Sequence, residues 1–541
     1  MILASESNLV SAALALGATK IKGWSARDLR LIAEARPMAQ PEVAELRREI
    51  RAGRDPLGEA FCIARSAQRR KLGATYTPYE IIRPMIAWAR RGSPYRVVDP
   101  GCGSGRFLME AAEAFPKARL IGTEIDPLAA IIARGNLAAL NLHKRAHVLL
   151  TDFRSAKLDR VAGPTLFVGN PPYVRHHDIS PRWKKWLSSE AHRQGFRASQ
   201  LAGLHVHFFL ATAILARPGD YGVFVTSAEW LDVNYGALVR SLLLNGLGGS
   251  SITILDPRAE LFPDAATTGA ITTFVVGASP TSIRLRNVRS VAELGLLDTG
   301  RPATRERLQS ESRWTHLTRA RRKLPRDHVE LGEICRVHRG QVTGCNRLWI
   351  AGPHALRLPA RVLFPTITRA RELFANAPEL RDASRLRCVV DLPTDLSVFR
   401  GAEREAVEAF LEMARGCGAD QTYIARHRSP WWSVQLREPA PILATYMARR
   451  PPGFVLNSAG ARHLNIAHGL YPREPLAKSV LKGLVAYLAR ATRVCDGRTY
   501  AGGLTKFEPR EMEHIPVPTP ETIVEAAEGS TQAAGTCRGA A

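Results

Sequence analysis

A buried strand that runs into a glycine-rich turn and a helix start constrains the fold of this chain more than any other segment. Residues 97–108 begin with two valines, pass through Asp99 and then place three glycines before an apolar stretch: Gly101, Gly103 and Gly105. Glycine tolerates positive φ, which lets the backbone approach a ligand, and the N–H groups of a helix start face that ligand. The spacing is not G-x-G-x-x-G, so it does not favour a dinucleotide pyrophosphate.

Two further predicted strands end in a carboxylate. Residues 119–126 form an apolar run that ends in Glu124 and Ile125, and an acid about 20 residues beyond a glycine turn is placed to hold ribose hydroxyls. Residues 148–153 form the next strand, with Asp152 and Phe153 at its tip. Asp152 can accept a hydrogen bond from an adenine amino group, and Phe153 can cover the ring.

A fourth predicted strand, residues 165–168, precedes Gly169 and then the motif Asn170, Pro171, Pro172 and Tyr173. Two prolines cannot continue a central strand, because neither has an N–H to donate. The motif is therefore expected at the carboxyl edge of the sheet, where open α/β sheets bind ligands. A strand followed by an ordinary Pro-Pro turn is the alternative for this motif alone.

The motif suits attack by a planar amino nitrogen, whose lone pair is delocalised into a ring. The side-chain carbonyl of Asn170 and the backbone carbonyl of Pro171 can accept the two N–H bonds of that group. These acceptors lie where charge develops, and they would aim the lone pair at an electrophilic methyl group. Tyr173 offers a flat face on which a base can stack.

Together these motifs resemble those of the S-adenosylmethionine-dependent N6-adenine DNA methyltransferases. The resemblance rests on residues 99–105, Glu124, Asp152 and residues 170–173, in that order. Residues 72–78 resemble the segment that covers the methionine end of the cofactor, and residues 261–264 resemble the loop whose aromatic side chain stacks on a flipped adenine. The resemblance implies a catalytic set and a cofactor-binding set, with no metal: Asn170, Pro171, Pro172, Tyr173 and Phe262 for catalysis; Tyr76, Thr77, Asp99, Gly101, Gly103, Gly105, Glu124, Ile125, Asp152 and Phe153 for S-adenosylmethionine.

The order of the motifs indicates which subclass of these methyltransferases the chain resembles. Few residues separate Asp152 from Asn170, so no recognition domain fits between them, and it must lie C-terminal, as in the gamma arrangement of these enzymes. The implied fold is α/β: a doubly wound, Rossmann-like methyltransferase sheet with a second, mixed α+β C-terminal DNA-recognition domain. The implied activity is site-specific methyl transfer to N6 of a flipped adenine in duplex DNA, as the modification part of a restriction-modification system. A separately encoded restriction endonuclease is a candidate partner.

A chain of 541 residues is too long for one core, so two or three domains are expected. We predict a helical N-terminal extension that packs on the catalytic domain, although this region could instead contact DNA. The predicted boundaries are 1–70 for the extension, 71–290 for the catalytic domain, 291–330 for a linker, 331–516 for the target recognition domain and 517–541 for a disordered tail.

The charge of the chain favours a polyanionic partner. Lys and Arg number 75 against 50 Asp and Glu, which gives a net charge of +25. A basic, arginine-rich proteome is the alternative explanation. Residues 175–186, just after the catalytic motif, are basic and aromatic, and they are either a phosphate-contacting loop or a solvated one.

The cysteine spacing and the hydropathy pattern indicate the cellular compartment of the protein. The eight cysteines include no C-x-x-C pair and no zinc-ligand spacing, which is typical of reduced thiols in a cytosolic protein. No apolar stretch reaches the roughly 20 residues of a membrane span. We therefore expect a protein of the bacterial cytosol, associated with the nucleoid and not with a membrane.

Two other functions remain open from the sequence. The first is an N-methyltransferase that acts on RNA or on a protein glutamine, because the motif at residues 170–173 is shared with such enzymes. The second is a catalytically inactive DNA-binding module, although the glycine turn, the acids and the Asn170 motif are all intact.

Overall fold

The chain forms two compact units, Met1–Arg321 and Arg322–Ala541. The computed structural model describes residue 3 and residues 5–33, 35–65, 76–255, 268–318, 324–500 and 504–526. None of the helices in these ranges is long and apolar enough to cross a membrane.

The first unit contains a sheet of nine strands within its described residues. The strands are β1 Arg96–Pro100, β2 Arg119–Glu124, β3 Ala146–Leu150, β4 Thr165–Gly169, β5 Tyr221–Ser227, β6 Gly249–Leu255, β7 Gly269–Val275, β8 Ser282–Val288 and β9 Arg301–Thr304. The α-helices are α1 Glu6–Leu16, α2 Ala26–Ile32, α3 Gln40–Arg51, α4 Pro56–Ala64, α5 Tyr79–Ala89, α6 Arg106–Ala114, α7 Pro127–Ala139, α8 Pro181–Arg193, α9 Leu204–Leu215, α10 Ala237–Asn245 and α11 Arg305–Ser310.

The order of the strands places a crevice at the centre of this sheet. The order is β3-β2-β1-β4-β5-β7-β6-β8-β9, and the first five of these run parallel. Strand β7 is antiparallel to both of its neighbours, so the sheet is mixed and not entirely parallel. The chain order reverses between β1 and β4, and an α/β sheet opens a crevice outside the carboxyl ends of its strands at such a point.

The N-terminal helices belong to the core of the first unit. Leu9 and Ala13 of α1 are fully buried in the same apolar cluster as β1 and α7. An added Cβ on Gly135 of α7 would lie 2.7 Å from the Cα of Ala13, so glycine permits the close approach of these two helices. Residues 5–33 and 35–65 therefore pack into the first unit as a set of helices.

A buried ion pair fixes this packing. Arg134 of α7 donates to Asp28 of α2 at 3.0 Å, to the carbonyl of Gly23 at 2.7 Å and to that of Val148 at 2.8 Å. The side chains of Arg134 and Asp28 are both 0% exposed. Removal of one partner from such a pair leaves a buried charge uncompensated.

The Arg134→Met variant is expected to lose about 3–5 kcal/mol of the free energy of unfolding of the first unit. Urea unfolding of the full chain, followed by tryptophan fluorescence, measures the loss. Arg54→Met is the matched control, because Arg54 pairs with Glu49 on the surface, and we expect a change of less than about 1 kcal/mol there. A loss below 1 kcal/mol for Arg134→Met would contradict this account.

The linker predicted over residues 291–330 is not what the structure contains. Strand β9 pairs with β8 and extends the sheet of the first unit. Trp314 is fully buried, its ring centroid lies 6.3 Å from that of Trp230, and its backbone N–H donates to Leu231. The buried apolar side chains of this segment are few and interspersed with polar residues, so its composition did not show that it belongs to a core.

The second unit has mixed α and β structure, as predicted. Its described strands are β10 His328–Glu330, β11 Cys335–Arg339, β12 Leu363–Ile367, β13 Glu379–Leu380, β14 Cys388–Val390, β15 Ile442–Thr445, β16 Met447–Ala448, β17 Phe454–Asn457, β18 Arg462–His463, β19 Ala467–Pro472, β20 Arg498–Tyr500, β21 Leu504–Lys506 and β22 Pro516–Pro518. Its α-helices are α12 Leu331–Ile334, α13 Asn346–Trp349, α14 Ala370–Ala375, α15 Gly401–Gly416, α16 Tyr423–Arg426, α17 Lys478–Ala491 and α18 Pro509–Glu513.

The largest sheet of this unit has the order β11-β19-β15-β17-β13. The boundaries of the unit also differ from the predicted 331–516. Strand β10 pairs with β22, and Val517 and Ile523 are buried in the core of this unit. Residues 517–526 are therefore folded and are not part of a disordered tail; the rest of the predicted tail lies outside the described residues.

Candidate active site

A crevice opens at the carboxyl ends of strands β1 to β4, and it contains ten of the fifteen predicted site residues. These ten are Tyr76, Thr77, Gly101, Gly103, Glu124, Ile125, Asp152, Phe153, Asn170 and Pro172. The remaining four described residues lie within two positions of this lining in the chain: Asp99, Gly105, Pro171 and Tyr173. Phe262 lies outside the described residues.

The glycine turn adopts the conformation that its sequence requires. Gly101, Gly103 and Gly105 have φ values of 76°, 54° and 89°, which L side chains rarely adopt. The backbone N–H groups of Gly101 and Cys102 both donate to the carbonyl of Thr123, which pins the turn to the end of β2. Gly105 caps α6, so the N-terminus of that helix points toward the crevice.

Glu124 holds the turn from the neighbouring strand. Its carboxylate accepts from the backbone N–H of Gly103 at 2.9 Å, Ile125 at 2.7 Å and Asp126 at 2.9 Å. Burial raises the pKa of Glu124, and these three hydrogen bonds oppose the rise. The next side chain, Ile125, is apolar and 42% exposed in the crevice, where it can cover an aromatic ligand.

Asp99 lies beneath the glycine turn and is 1% exposed. Neither of its carboxylate oxygens has a hydrogen-bond partner within the part of the chain that the structure describes. Burial, followed by the nearby charge of Glu124, raises the pKa of Asp99 well above its ordinary value. A buried carboxyl group without a partner is costly, and it suits a site that a ligand with N–H donors completes.

Asp152 lies at the tip of β3 and is held by its own segment. Its carboxylate accepts hydrogen bonds from three groups of Arg154: the backbone N–H at 3.0 Å, Nε at 2.9 Å and Nη2 at 2.6 Å. Phe153 is buried and packs against Phe208, with ring centroids 5.4 Å apart. Phe208 of α9 also lines the crevice, although nothing in the sequence distinguishes it from the other apolar residues of its helix.

Asn170 and Thr77 meet across the mouth of the crevice. The side-chain Nδ2 of Asn170 donates to the hydroxyl of Thr77 at 3.0 Å, and Thr77 is 4% exposed. This bond uses the amide nitrogen and fixes the orientation of the Asn170 side chain. Burial raises the pKa of Tyr173, and the Asn170 side chain opposes the rise, so the phenol stays neutral.

Asp55 is a site residue that the sequence analysis missed. It is fully buried, and its carboxylate accepts from Ser104 Oγ at 2.5 Å, Arg106 Nε at 2.8 Å and Asn136 Nδ2 at 2.9 Å. It also caps α4 by accepting from the N–H of Gly58. An Asp before a Pro is a helix-start signal in the sequence, but its contacts with the glycine turn are not.

Three other features bear on the chemistry available here. No group of three or more His, Cys, Asp or Glu side chains that could hold a metal ion is found in the described ranges. The structure describes the side chains of six of the eight cysteines, and all six are free thiols. Arg106 also lies over the rings of Tyr76 and Tyr79, at 5.2 and 5.3 Å from their centroids.

Comparison with known proteins identifies the family. The family model "N-6 DNA Methylase" matches residues 54–245, and the model "Type II methyltransferase M.Eco57I, C-terminal domain" matches residues 310–537. The Type II methyltransferase M.XamI of Xanthomonas campestris pv. amaranthicola is 50% identical over 491 residues, which are 89% of this chain and 92% of that protein. The chain belongs to the Type II N6-adenine DNA methyltransferases. The implied family, activity class and fold class are thereby confirmed.

More distant relatives agree with this assignment. The Type II methyltransferase M.AccI of Acinetobacter calcoaceticus is 21% identical and covers 82% of this methyltransferase and 85% of its own length. The DNA-bound structure of the Type IIL restriction-modification enzyme MmeI covers 84% of this chain and 69% of its own, with a TM-score of 0.53 and 14% identity. That likeness concerns the fold alone.

Proposed function

We propose that this methyltransferase transfers the methyl group of S-adenosylmethionine to N6 of an adenine that is flipped out of duplex DNA. The observation that carries the proposal is the hydrogen bond between Asn170 and Thr77 at the mouth of the crevice. It fixes the amide of Asn170 beside a pocket that Glu124 and Asp152 line from neighbouring strands. When bound, S-adenosylmethionine supplies an electrophilic methyl group on a sulfonium.

The crevice residues fit the parts of that cofactor. The carboxyl oxygens of Asp99 have no hydrogen-bond partner among the described residues, so they can accept from N–H donors of the methionine part. Glu124 accepts three backbone hydrogen bonds, which leaves about one of its four acceptor positions for a ribose hydroxyl. Asp152 accepts from the adenine amino group, while Ile125 and Phe153 cover the ring. Tyr76 and Thr77 close the methionine end.

The target adenine is held at the carboxyl end of β4. Flipping the base costs a few kcal/mol, and stacking on Tyr173 and Phe262 returns about 1–3 kcal/mol per base. The Asn170 oxygen and the Pro171 carbonyl accept the two N–H bonds of the amine, which fixes the direction of its lone pair. Strand β4 ends at Gly169, and Pro171 and Pro172 cannot extend it. Positioning then supplies most of the rate enhancement.

The partner and the location of the enzyme are further parts of the proposal. The substrate that this proposal names is duplex DNA, so we propose that the enzyme acts in the bacterial cytosol, at the nucleoid. A separately encoded restriction endonuclease is the proposed partner, and the second unit, with the folded residues beyond 516, is the proposed target recognition domain. A nuclease gene beside the gene for this chain would support the partnership.

Incubation of the full chain with tritiated S-adenosylmethionine and duplex DNA tests the proposal directly. After digestion to nucleosides, we expect the label in N6-methyl-2′-deoxyadenosine. Label in a methylated cytosine, or label incorporated only when RNA or protein is supplied, would contradict it.

The Glu124→Ala variant is expected to bind S-adenosylhomocysteine roughly tenfold or more weakly, because charged hydrogen bonds contribute about 1.5–3 kcal/mol each. Calorimetric titration measures the dissociation constant. Glu113→Ala is the matched control, since Glu113 lies on the exposed face of α6, and its dissociation constant should not change. An unchanged dissociation constant for Glu124→Ala would mean that β2 does not reach the ribose.

A further inference from the structure

The side chain of Arg154 is held on every side next to the proposed adenine acceptor. Its Nε and Nη2 form a fork on the two oxygens of Asp152, at 2.9 and 2.6 Å. Its Nη1 donates to Nδ1 of His207 at 3.4 Å, and its guanidinium lies 3.8 Å from the centroid of the Trp183 ring. The Arg154 side chain is only 7% exposed, and that of Asp152 is 23% exposed.

The neighbours of Arg154 come from two helices that follow the cofactor motifs in the chain. Trp183 belongs to α8 and His207 to α9. Trp186 of α8 stacks on His207, with centroids 6.0 Å apart and an interplanar angle of 12°. Burial, followed by the charge of Arg154, lowers the pKa of His207 to about 3, so the imidazole is neutral and its Nδ1 can accept.

The hydrogen bonds from Arg154 limit the acceptor positions of Asp152 that a ligand can use. A carboxylate has about four acceptor positions, and Arg154 fills three of them with its backbone N–H, Nε and Nη2. One acceptor position remains, in a carboxylate that cannot rotate without breaking the fork. A fixed carboxylate acceptor favours a ligand that presents an N–H at that position and disfavours a ligand that presents an oxygen.

We propose that Arg154 is a positioning residue that sets the preference of the cofactor site for a 6-aminopurine over a 6-oxopurine, by locking the carboxylate of Asp152. Trp183 and His207 hold Arg154 in the orientation that this requires. The inference rests on the proposed function, because it takes Asp152 as the acceptor for the cofactor's adenine.

The test compares two ligands that differ at this position. S-adenosylhomocysteine carries an amino group at C6 and S-inosylhomocysteine carries an oxygen, and calorimetry on the full chain gives both dissociation constants. We expect the wild-type protein to prefer the adenosyl ligand by roughly tenfold or more, as one charged hydrogen bond allows. In Arg154→Leu the carboxylate of Asp152 is free to turn, and the preference should fall to within about threefold.

Two further variants test whether the ligand preference depends on the planar guanidinium of Arg154, and not only on its positive charge or on the stability of the protein. Arg154→Lys keeps the positive charge but loses the planar fork, so its preference should fall by at least about threefold from wild type while its thermal unfolding stays close to wild type. Arg182→Leu is the matched control: Arg182 lies over the same Trp183 ring, at 5.4 Å, but it is exposed on α8. It should retain the full preference.

The outcomes distinguish this inference from the function on which it rests. Full retention of the ligand preference by folded Arg154→Leu or Arg154→Lys would overturn the role of Arg154 alone. Equal binding of the two ligands by the wild-type protein would overturn it together with the assignment of Asp152. Loss of the preference in both Arg154 variants, and not in Arg182→Leu, is the result that we expect.

Discussion

The Asn170→Ala variant is expected to lose at least about a hundredfold in turnover while its dissociation constant for S-adenosylhomocysteine stays within about threefold of wild type. The side chain of Asn170 is fixed by its bond to Thr77, so its oxygen is already oriented for the target amine. Removal of one such preorganised group typically costs about 10²–10³ in rate. Cofactor binding should survive, because the residues that fit the cofactor lie mainly on β1, β2 and β3.

Turnover with tritiated cofactor on duplex DNA and calorimetry with S-adenosylhomocysteine measure the two quantities. Asn234→Ala is the matched control, since Asn234 is exposed in the same unit, and both quantities should match wild type. Near wild-type turnover of Asn170→Ala would remove Asn170 from the reaction. A parallel loss of cofactor binding would instead mean that the residue supports the pocket.

Asp55→Ala is expected to destabilise the first unit by about 3–5 kcal/mol and to abolish measurable cofactor binding. The substitution leaves the guanidinium of Arg106 without its buried partner, and it removes the acceptor for Ser104 and Asn136. Because Ser104 lies within the glycine turn, the turn loses its support together with the core. Urea unfolding and calorimetric titration follow the two effects.

Glu59→Ala is the control for Asp55→Ala. Glu59 lies 3.8 Å from the same guanidinium, but its side chain is 68% exposed, so we expect a change of less than about 1 kcal/mol. A folded Asp55→Ala protein that binds S-adenosylhomocysteine as wild type does would show that the glycine turn is stable without this clamp.

The sequence was sufficient to predict the parts of the site that depend on local structure. Each strand that ends in a site residue is a short apolar run, and the turn conformation follows from Gly101, Gly103 and Gly105 themselves. The crevice then follows from the parallel arrangement, which brings the carboxyl ends of β1 to β4 to one edge. Glu124, Asp152 and Asn170 consequently share a pocket although they are distant in the chain.

The sequence was insufficient where contacts between distant residues decide the structure. The sequence indicates only that Asp55 caps a helix, whereas its hydrogen bonds to Ser104 and Asn136 join residues 49 and 81 positions apart. Trp314 lies in a segment of mixed composition, and only its packing against Trp230 shows that the segment belongs to the first unit. Arg154 is adjacent to a predicted site residue, yet its role depends on Trp183 and His207, which later helices supply.

Sequencing the DNA of cells that express the full chain for N6-methyladenine tests the central claim most directly. Cells that express the Asn170→Ala variant at an equal level are the control. We predict N6-methyladenine at one defined sequence in the first cells and its absence at that sequence in the control. Methylation of cytosine alone, unmethylated DNA in cells that hold the folded protein, or equal methylation in the Asn170→Ala control would contradict the account.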